Sequence, residues 1–310
     1  MTAARLVTRR VVELLVVFVG VSFVIYAMVF ALPGDPIAAL GGDRPLPANV
    51  VAQLREQFHL DEPVWRQYLY WLSALLHGDL GTNFAGQSVA DKLALRWPVT
   101  ITLALTAWLI EVVVGVALGL WAGLRRGRAA DKAVLAGTIL ASSIPVFVVA
   151  VSAQLLFGVR LGWFPVAGTA AGWPMSYLLP AACVALFGLA SVARLMRGSV
   201  IDTLHSDFVR TLRAKGLPRK EIVGVHVMRN SAIPVLTFLA VDLGYLLGGT
   251  VVIEGVFNLP GVGNLLFQAI RAHEGPTVVG VSTALILVFL VTNALVDLLH
   301  AVLDPRIRHA

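Results

Sequence analysis

The run VTITLALTAWLIEVVVGVALGLWAGL occupies residues 99–124 and contains one charged residue, Glu111. A helix needs about 20 apolar residues to cross a hydrocarbon core of about 30 Å, and this run is long enough. Backbone groups in lipid have to be hydrogen-bonded within the segment itself, so we expect a helix and not an alternating barrel strand. This stretch places the chain among membrane proteins.

Five further runs have the same character, and the composition of the chain agrees with them. Hydrophobic residues make up 58% of the 310 residues and charged residues 14%, whereas soluble domains carry about 25% charged residues. We predict an all-α, polytopic membrane protein with six transmembrane helices, at residues 11–32, 99–124, 133–159, 176–196, 232–254 and 278–303. Pro145, inside the third span, predicts a kink.

The distribution of basic residues orients these helices. Four basic residues lie in the short segment 125–132, against Arg160 alone in 160–175. Short cytoplasmic loops carry the excess of Lys and Arg, so both termini are predicted to be cytoplasmic, and the net charge of +6 gives no argument for nucleic acid. The first apolar run exceeds the core of a signal peptide, and no cleavage site follows it. We therefore expect it to be retained as the first span.

Motifs of catalysis and nucleotide binding are missing from the sequence. It has no GxxxxGK(S/T) phosphate loop, no HExxH and no GxSxG. The glycine-rich GVFNLPGVG at 255–263 precedes no long soluble helix, so we expect no nucleotide site there. The single cysteine, Cys183, cannot form a disulfide within the chain. We predict a non-catalytic subunit that binds no metal or cofactor, so any ATP it depends on is hydrolysed by another chain.

Two acidic residues lie near the middle of predicted spans, Glu111 in the second and Asp242 in the fifth. Intramembrane charge indicates function by default, so either residue could line a translocation path or carry a proton. Either could instead be a neutral or paired acid between helices. Because neither has a basic partner at matching depth, the sequence favours the structural role over a proton relay.

Small residues recur every four positions on two spans. Gly115, Gly119 and Gly123 follow one face of the second span, and Gly244 and Gly248 follow one face of the fifth. Such stripes allow two helices to approach closely, so we predict helix packing at both.

A long segment on the external side, about 33–98, begins with the turn LPGDP at 32–36. Residues 48–59 and 63–77 are predicted to form two short helices, the second rich in Trp and Tyr, which favour the membrane surface. The segment could be a lid over the bundle or a docking platform for an external protein. The two roles are compatible.

The cytoplasmic loop at 198–231 carries an apolar stripe. Ile201, Leu204, Phe208 and Leu212 fall at i, i+3, i+7 and i+11, on one face of a single predicted helix. Gly216, followed by Leu217-Pro218, predicts its end, because Gly accepts the left-handed cap and Pro cannot continue a helix. Such a helix could lie flat on the membrane or insert into a partner's groove.

Motifs along nearly the whole chain resemble the permease subunits of bacterial ABC importers, specifically the B-type subunit of the dipeptide/oligopeptide (and nickel) group. They are LPGDP at 32–36, GDLGTNF at 78–84, LGWFPVAG at 161–168, ARLMRGSVIDTLHSDFVRTLRAKGL at 193–217, RNSAIPV at 229–235, GGTVVIEGVFNLPGVGNLL at 248–266 and NALVDLLHAVLDPRIR at 293–308. The resemblance implies the type I ABC importer permease fold, in the bacterial inner membrane.

The resemblance assigns the cytoplasmic loop to the EAA-type coupling motif. Gly216 takes the Gly position of that motif, Arg210, Thr211 and Leu212 replace E-A-A, and Arg229 stands where the family-wide pattern has Pro. The implied ATPase-coupling residues are Asp207, Phe208, Arg210, Thr211, Leu212, Arg213, Ala214, Lys215 and Gly216. We expect Phe208 and Leu212 to dock as apolar knobs, so that Leu212→Asp would uncouple transport without unfolding the bundle.

The resemblance also implies the partners and the mechanism. These are a homologous second permease, two ATPase subunits that bind ATP and Mg, and an extracytoplasmic substrate-binding protein, working by alternating access. Residues 1–98 would form the first helix with the external segment, and 99–310 a five-helix core. Short peptides are the expected substrate, with nickel or glutathione as alternatives, and a secondary transporter remains the rival class.

Overall fold

The computed structural model describes residues 3–31, 37 and 47–303. The LPGDP turn predicted at 32–36 lies outside these residues. Within them the regular structure is helical: α1 (Ala3–Phe30), α2 (Ala48–Gln57), α3 (Val64–Leu76), α4 (Val89–Leu124), α5 (Ala129–Ser143), α6 (Val146–Arg160), α7 (Met175–His205), α8 (Asp207–Ala214), α9 (Arg219–Gly248), α10 (Val251–Val256), α11 (Val262–Arg271) and α12 (Gly275–Leu303).

Five of these helices are long and apolar enough to cross a membrane. The crossing segments are Val12–Phe30, Val89–Leu124, Met175–His205, Arg219–Gly248 and Gly275–Val296. Helices α5 and α6 make a sixth span if the bent pair is counted as one. The prediction of an all-α, multi-span fold is confirmed, and α2 and α3 match the two short external helices that the sequence predicts.

The third predicted span, 133–159, is broken more sharply than a kink. Helices α5 and α6 meet at 99°, because Ile144 (φ −96°, ψ 127°) and Pro145 (φ −57°, ψ 136°) both leave the helical region. Proline has no N–H to donate and disfavours the helical conformation of the residue before it. The predicted irregularity at Pro145 is confirmed, but it breaks the helix instead of only kinking it.

One compact unit comprises residues 1–100 and 260–291. In it α3 packs on α1 through Tyr68, whose hydroxyl lies 2.9 Å from the Ser22 hydroxyl and donates to the Val19 carbonyl at 3.2 Å. Tyr68 also meets Tyr26 edge to face, with ring centroids 5.7 Å apart. These contacts tie the external segment to the first span.

The second compact unit comprises residues 101–259 and 292–310. Its core cluster, named here the α7 core, consists of Val192, Met196, Val200, Val209, Ile222, Val227, Val235 and Leu239. The glycine stripe of α4 packs directly on it: a Cβ on Gly115 would lie 2.8 Å from Val192 Cγ1, and one on Gly119 would lie 2.5 Å from the Ala193 carbonyl oxygen. The predicted close approach at the first stripe is confirmed.

In the second glycine stripe, on α9, only one of the two glycines shows the close helix contact that the sequence predicts. A Cβ on Gly244 would lie 3.0 Å from Thr292 Cγ2, whereas a Cβ on Gly248 would meet nothing within 4 Å. Gly248 therefore makes no close helix contact among the described residues, and its packing role stays a prediction. The two glycines are four positions apart, but only Gly244 meets a neighbouring helix among the described residues.

Candidate functional site

The cytoplasmic loop is more helical than the sequence suggests. Helix α7 continues to His205, α9 begins at Arg219, and only Ser206 and residues 215–218 separate them from α8. Ser206 has extended backbone angles (φ −69°, ψ 153°). The single apolar stripe predicted from Ile201 to Leu212 is therefore wrong: Ile201 and Leu204 lie on α7, and Phe208 and Leu212 lie on α8.

The inner face of α8 is anchored in the α7 core. Val209 is fully buried, and Leu212 and Leu217 are partly buried against the same cluster. Val209 escaped sequence reasoning, although its i, i+3 spacing with Leu212 was the available signal. Because Leu212 faces inward, it is not a free docking knob, and Leu212→Asp would place a charge against an apolar core.

The C-terminal end of α8 is capped as predicted. Gly216 has φ +80°, its N–H donates to the Arg213 carbonyl at 3.0 Å, and the Leu217 N–H donates to the Leu212 carbonyl at 3.3 Å. This pair of bonds, with Leu212 and Leu217 in one apolar cluster, is a Schellman motif. It fixes the chain direction immediately after the helix.

The outer face of α8 is exposed, and it is named here the α8 surface. It consists of Asp207, Phe208, Arg210, Thr211, Arg213, Ala214, Lys215 and Gly216. Phe208 is 39% exposed, and Arg210 donates to Asp207 at 3.2 Å across one helical turn. The α8 surface thus combines one aromatic ring with basic side chains, on a helix whose opposite face packs in the α7 core.

Glu111 lies inside a membrane-spanning helix, in a π-helical turn at Glu111–Gly115 of α4. Its side chain is fully buried, and neither carboxyl oxygen has a hydrogen-bond partner among the described residues. π-Helical turns are frequent at functional sites. Burying a carboxyl group costs free energy, and Glu111 interacts there with another acid, Asp242.

Asp242, on α9, lies on the same cavity as Glu111. The two carboxyl groups are close enough to interact electrostatically, and Asp242 Oδ2 is also buried without a partner among the described residues. Sequence analysis treats these acids as isolated, and that view is wrong: α4 and α9 bring them together. The packing of the helices brings the two acids together, and no spacing in the sequence indicates this.

The cavity beside this acid pair has a volume of about 420 Å³. It lies at the break between α5 and α6, and its lining contains no Lys, Arg or His among the described residues. Polar and aromatic lining groups include Ser142, Ser143, Cys183 and Tyr245. The arrangement offers carboxyl and hydroxyl groups in an otherwise apolar space.

No set of three or more His, Cys, Asp and Glu residues among the described residues is placed to hold a metal ion. The acid pair alone does not make such a site. The geometry therefore gives two features with possible function, the α8 surface and the acid pair, and no constellation for catalysis within the same part of the chain.

Family models cover both halves of the sequence. Residues 115–309 match the binding-protein-dependent transport system inner membrane component, and residues 3–104 match the N-terminal part of the same membrane component. The chain belongs to this family of ABC importer permeases. It is accordingly a multi-pass inner-membrane subunit, non-catalytic and without a cofactor of its own, and the secondary-transporter alternative is excluded.

Relatives of the chain align over almost its full length. A Brucella abortus protein named for a peptide transport system permease is 39% identical, and the alignment covers 98% of this chain and 99% of the relative. The oligopeptide transport system permease protein OppB of Haemophilus influenzae is 35% identical, with 98% and 99% covered. The glutathione transport system permease protein GsiC of Escherichia coli is 34% identical, with 98% of each covered. The chain is thus similar to peptide-type permeases.

Proposed function

We propose that this permease subunit carries short peptides into the cytoplasm in an ATP-driven importer that works by alternating access. The observation that carries the proposal is the acid pair on a cavity of about 420 Å³ inside a peptide-type permease. Buried carboxyl groups without basic partners attract a cation, and an unmodified peptide carries one at its amino terminus. Glu111 and Asp242 would therefore line the translocation path and hold that ammonium group.

Glutathione is a second candidate substrate, supported by the similarity to GsiC. It carries a free ammonium group too, so the acid pair suits it equally. Nickel has less support, because Ni²⁺ suits imidazole ligands and the described lining of the cavity has none.

The α8 surface is proposed to receive the motion of an ATPase subunit. A helix that transmits force has to be held rigidly on one side and be accessible on the other. Val209, Leu212 and Leu217 supply the attachment, and Phe208, Arg210 and Arg213 supply accessible side chains for a groove in the partner. The exposed ring is the proposed knob, and the basic groups fix its register.

The family implies further subunits, and we propose their arrangement. A homologous second permease completes the pathway, two ATPase subunits bind ATP and Mg²⁺ and contact the coupling helices, and an extracytoplasmic protein delivers the substrate. The external helix α3 exposes Trp65 and Tyr70, which supports the roles of surface lid and docking platform alike. The division into residues 1–98 and 99–310 stays a prediction.

The test is reconstitution of the chain with its co-expressed partners, followed by uptake of a labelled dipeptide, glutathione and Ni²⁺ in separate vesicles. We expect ATP-dependent uptake of the dipeptide that requires the binding protein. Uptake of glutathione alone would assign the second candidate, and ATP-independent uptake would contradict the importer mechanism.

A further inference from the structure

A groove of about 960 Å³ lies in the second compact unit, away from the acid pair. Four segments form it: the end of α4, the turn at 125–128, the end of α7 and the start of α9. The lining residues are Trp121, Gly123, Leu124, Arg125, Arg126, Arg128, Ile201, Leu204, His205, Arg219, Lys220, Val223 and Gly224. By the positive-inside rule, these ends face the cytoplasm.

The rim of the groove is basic, and its positive charges are not neutralised by salt bridges among the described residues. Arg125, Arg126, Arg128, Arg219 and Lys220 are all exposed, and no salt bridge within the described part of the chain occupies any of them. The described lining contains no Asp or Glu.

Asp131 interacts electrostatically with Arg126 of this rim. Its carboxylate already accepts hydrogen bonds from Arg197, at 2.9 Å for the Nη2 bond, and from the Gly127 N–H at 2.8 Å. Asp131 is buried, and its charge is paired with Arg197, which does not line the groove.

The floor of the groove is apolar. Ile201 and Leu204 from α7 and Val223 from α9 line it and are partly buried, whereas the basic residues are exposed. Trp121 stands at one edge, 42% exposed, with the Arg125 guanidinium stacked 5.1 Å from its ring centroid. Tryptophan with its apolar body and basic neighbours is typical of the headgroup level of a membrane.

We propose that this groove binds the phosphate of an anionic phospholipid headgroup at the cytoplasmic surface. The positive-inside rule alone accounts for basic residues in each cytoplasmic loop. It does not require residues 125–128 and 219–220 to converge on one concave surface with an apolar floor. Basic pockets between membrane helices on the cytoplasmic side suit such headgroups. The apolar floor favours a lipid over free phosphate, because it offers contact to the glycerol and upper acyl carbons.

The experiment measures lipid retention by the full chain, purified with its co-expressed partners from nanodiscs. The nanodiscs contain phosphatidylcholine alone, phosphatidylcholine with phosphatidylglycerol, or phosphatidylcholine with added inorganic phosphate, and bound lipid is counted by native mass spectrometry. Arg126→Gln and Lys220→Gln each remove one charge from a different segment of the rim. Arg160→Gln, an exposed arginine outside the groove, is the matched control.

Phosphatidylglycerol is expected to be retained by the parent and by Arg160→Gln. Each groove variant should retain it about fivefold more weakly, the factor that corresponds to about 1 kcal/mol per basic residue at an anionic surface. Equal retention in all variants would overturn the proposal, as would protection by inorganic phosphate alone in a thermal shift assay.

A loss of co-purifying ATPase subunits with unchanged lipid retention would also overturn it, because the groove would then be a protein contact. The readout needs no transported substrate. Its failure is therefore separate from a failure of the peptide proposal.

Discussion

Gly188 lies directly against the carboxyl group of Glu111: a Cβ built on Gly188 would overlap with both carboxyl oxygens. The absence of a side chain on α7 is what leaves room for a buried acid on α4. Both residues line the cavity, so this contact sets the position of the acid pair.

Gly188→Ala is therefore expected to displace the Glu111 carboxyl group without changing any charge. Overpacking of this kind costs about 1–3 kcal/mol, and dipeptide uptake should fall. Gly198→Ala is the matched control, because it lies on the same helix and its Cβ would meet nothing within 4 Å. Thermal unfolding and uptake of the two variants would be compared, and equal behaviour would contradict the proposed contact.

Neutralising the acid pair tests its role in binding the amino terminus. Glu111→Gln and Asp242→Asn are each expected to lower uptake of a free dipeptide about tenfold, the factor for a loss of about 1.4 kcal/mol. The N-acetylated dipeptide has no ammonium group, so the same variants should leave any uptake of it unchanged. A parallel decrease for both peptides would point to a structural role for the pair.

Substitutions on the two faces of α8 should have opposite phenotypes. Phe208→Asp is expected to leave the permease folded and to abolish stimulation of the ATPase by substrate, because Phe208 is exposed. Val209→Asp should prevent folding, since burying an unpaired charge costs several kcal/mol, and Leu212→Asp should lower the yield of folded protein. Yield of monodisperse protein and ATPase stimulation separate the two classes, and a folded, uncoupled Val209→Asp would refute the assignment of faces.

The packing of α4 on α7 predicts a contrast between two glycines. Gly119→Ala places a Cβ 2.5 Å from the Ala193 carbonyl oxygen, so the helices have to separate, whereas the Cβ of Gly248→Ala meets nothing within 4 Å. We expect a loss of about 1–3 kcal/mol for Gly119→Ala and none for Gly248→Ala. The unfolding temperature in detergent is the measurement, and an unchanged value for Gly119→Ala would contradict this packing.

The ion pair of Asp131 and Arg197 should couple more strongly than an exposed pair. The Asp131 side chain is 3% exposed and that of Arg197 23%, against 36% for Glu62 and 53% for Arg66. A double-mutant cycle with Asp131→Asn and Arg197→Gln is expected to give about 2 kcal/mol. The corresponding cycle for Glu62 and Arg66 should give less than about 1 kcal/mol. Equal coupling energies would rule out a stabilising role for burial.

Much of this fold could be predicted from local sequence patterns. The spans follow from runs of apolar residues, the cap at Gly216 from its conformational freedom, and the packing of Gly119 from a spacing of four. Each of these features depends on residues that are near one another in the sequence, so the sequence pattern was enough to predict it.

Features that depend on distant residues escaped prediction. Nothing near Glu111 indicates Asp242, because α4 and α9 are brought together by α7. The break at Ser206 was missed because the apolar spacing continues across it, and the inward position of Leu212 depends on the core formed with Ile222 and Val227. Gly248 shows the converse: it has the spacing of the motif, but no close neighbour among the described residues.

Helix α7 runs unbroken from Met175 to His205, and it touches both proposed sites. Val200 packs in the cluster that holds α8, and Gly188 meets the acid pair twelve residues away, about 18 Å along the axis. A helix is stiff along its length, so α7 connects the two proposed sites rigidly. A rigid-body displacement of its cytoplasmic end would therefore move Gly188 as well, and with it the packing around the Glu111 carboxyl group.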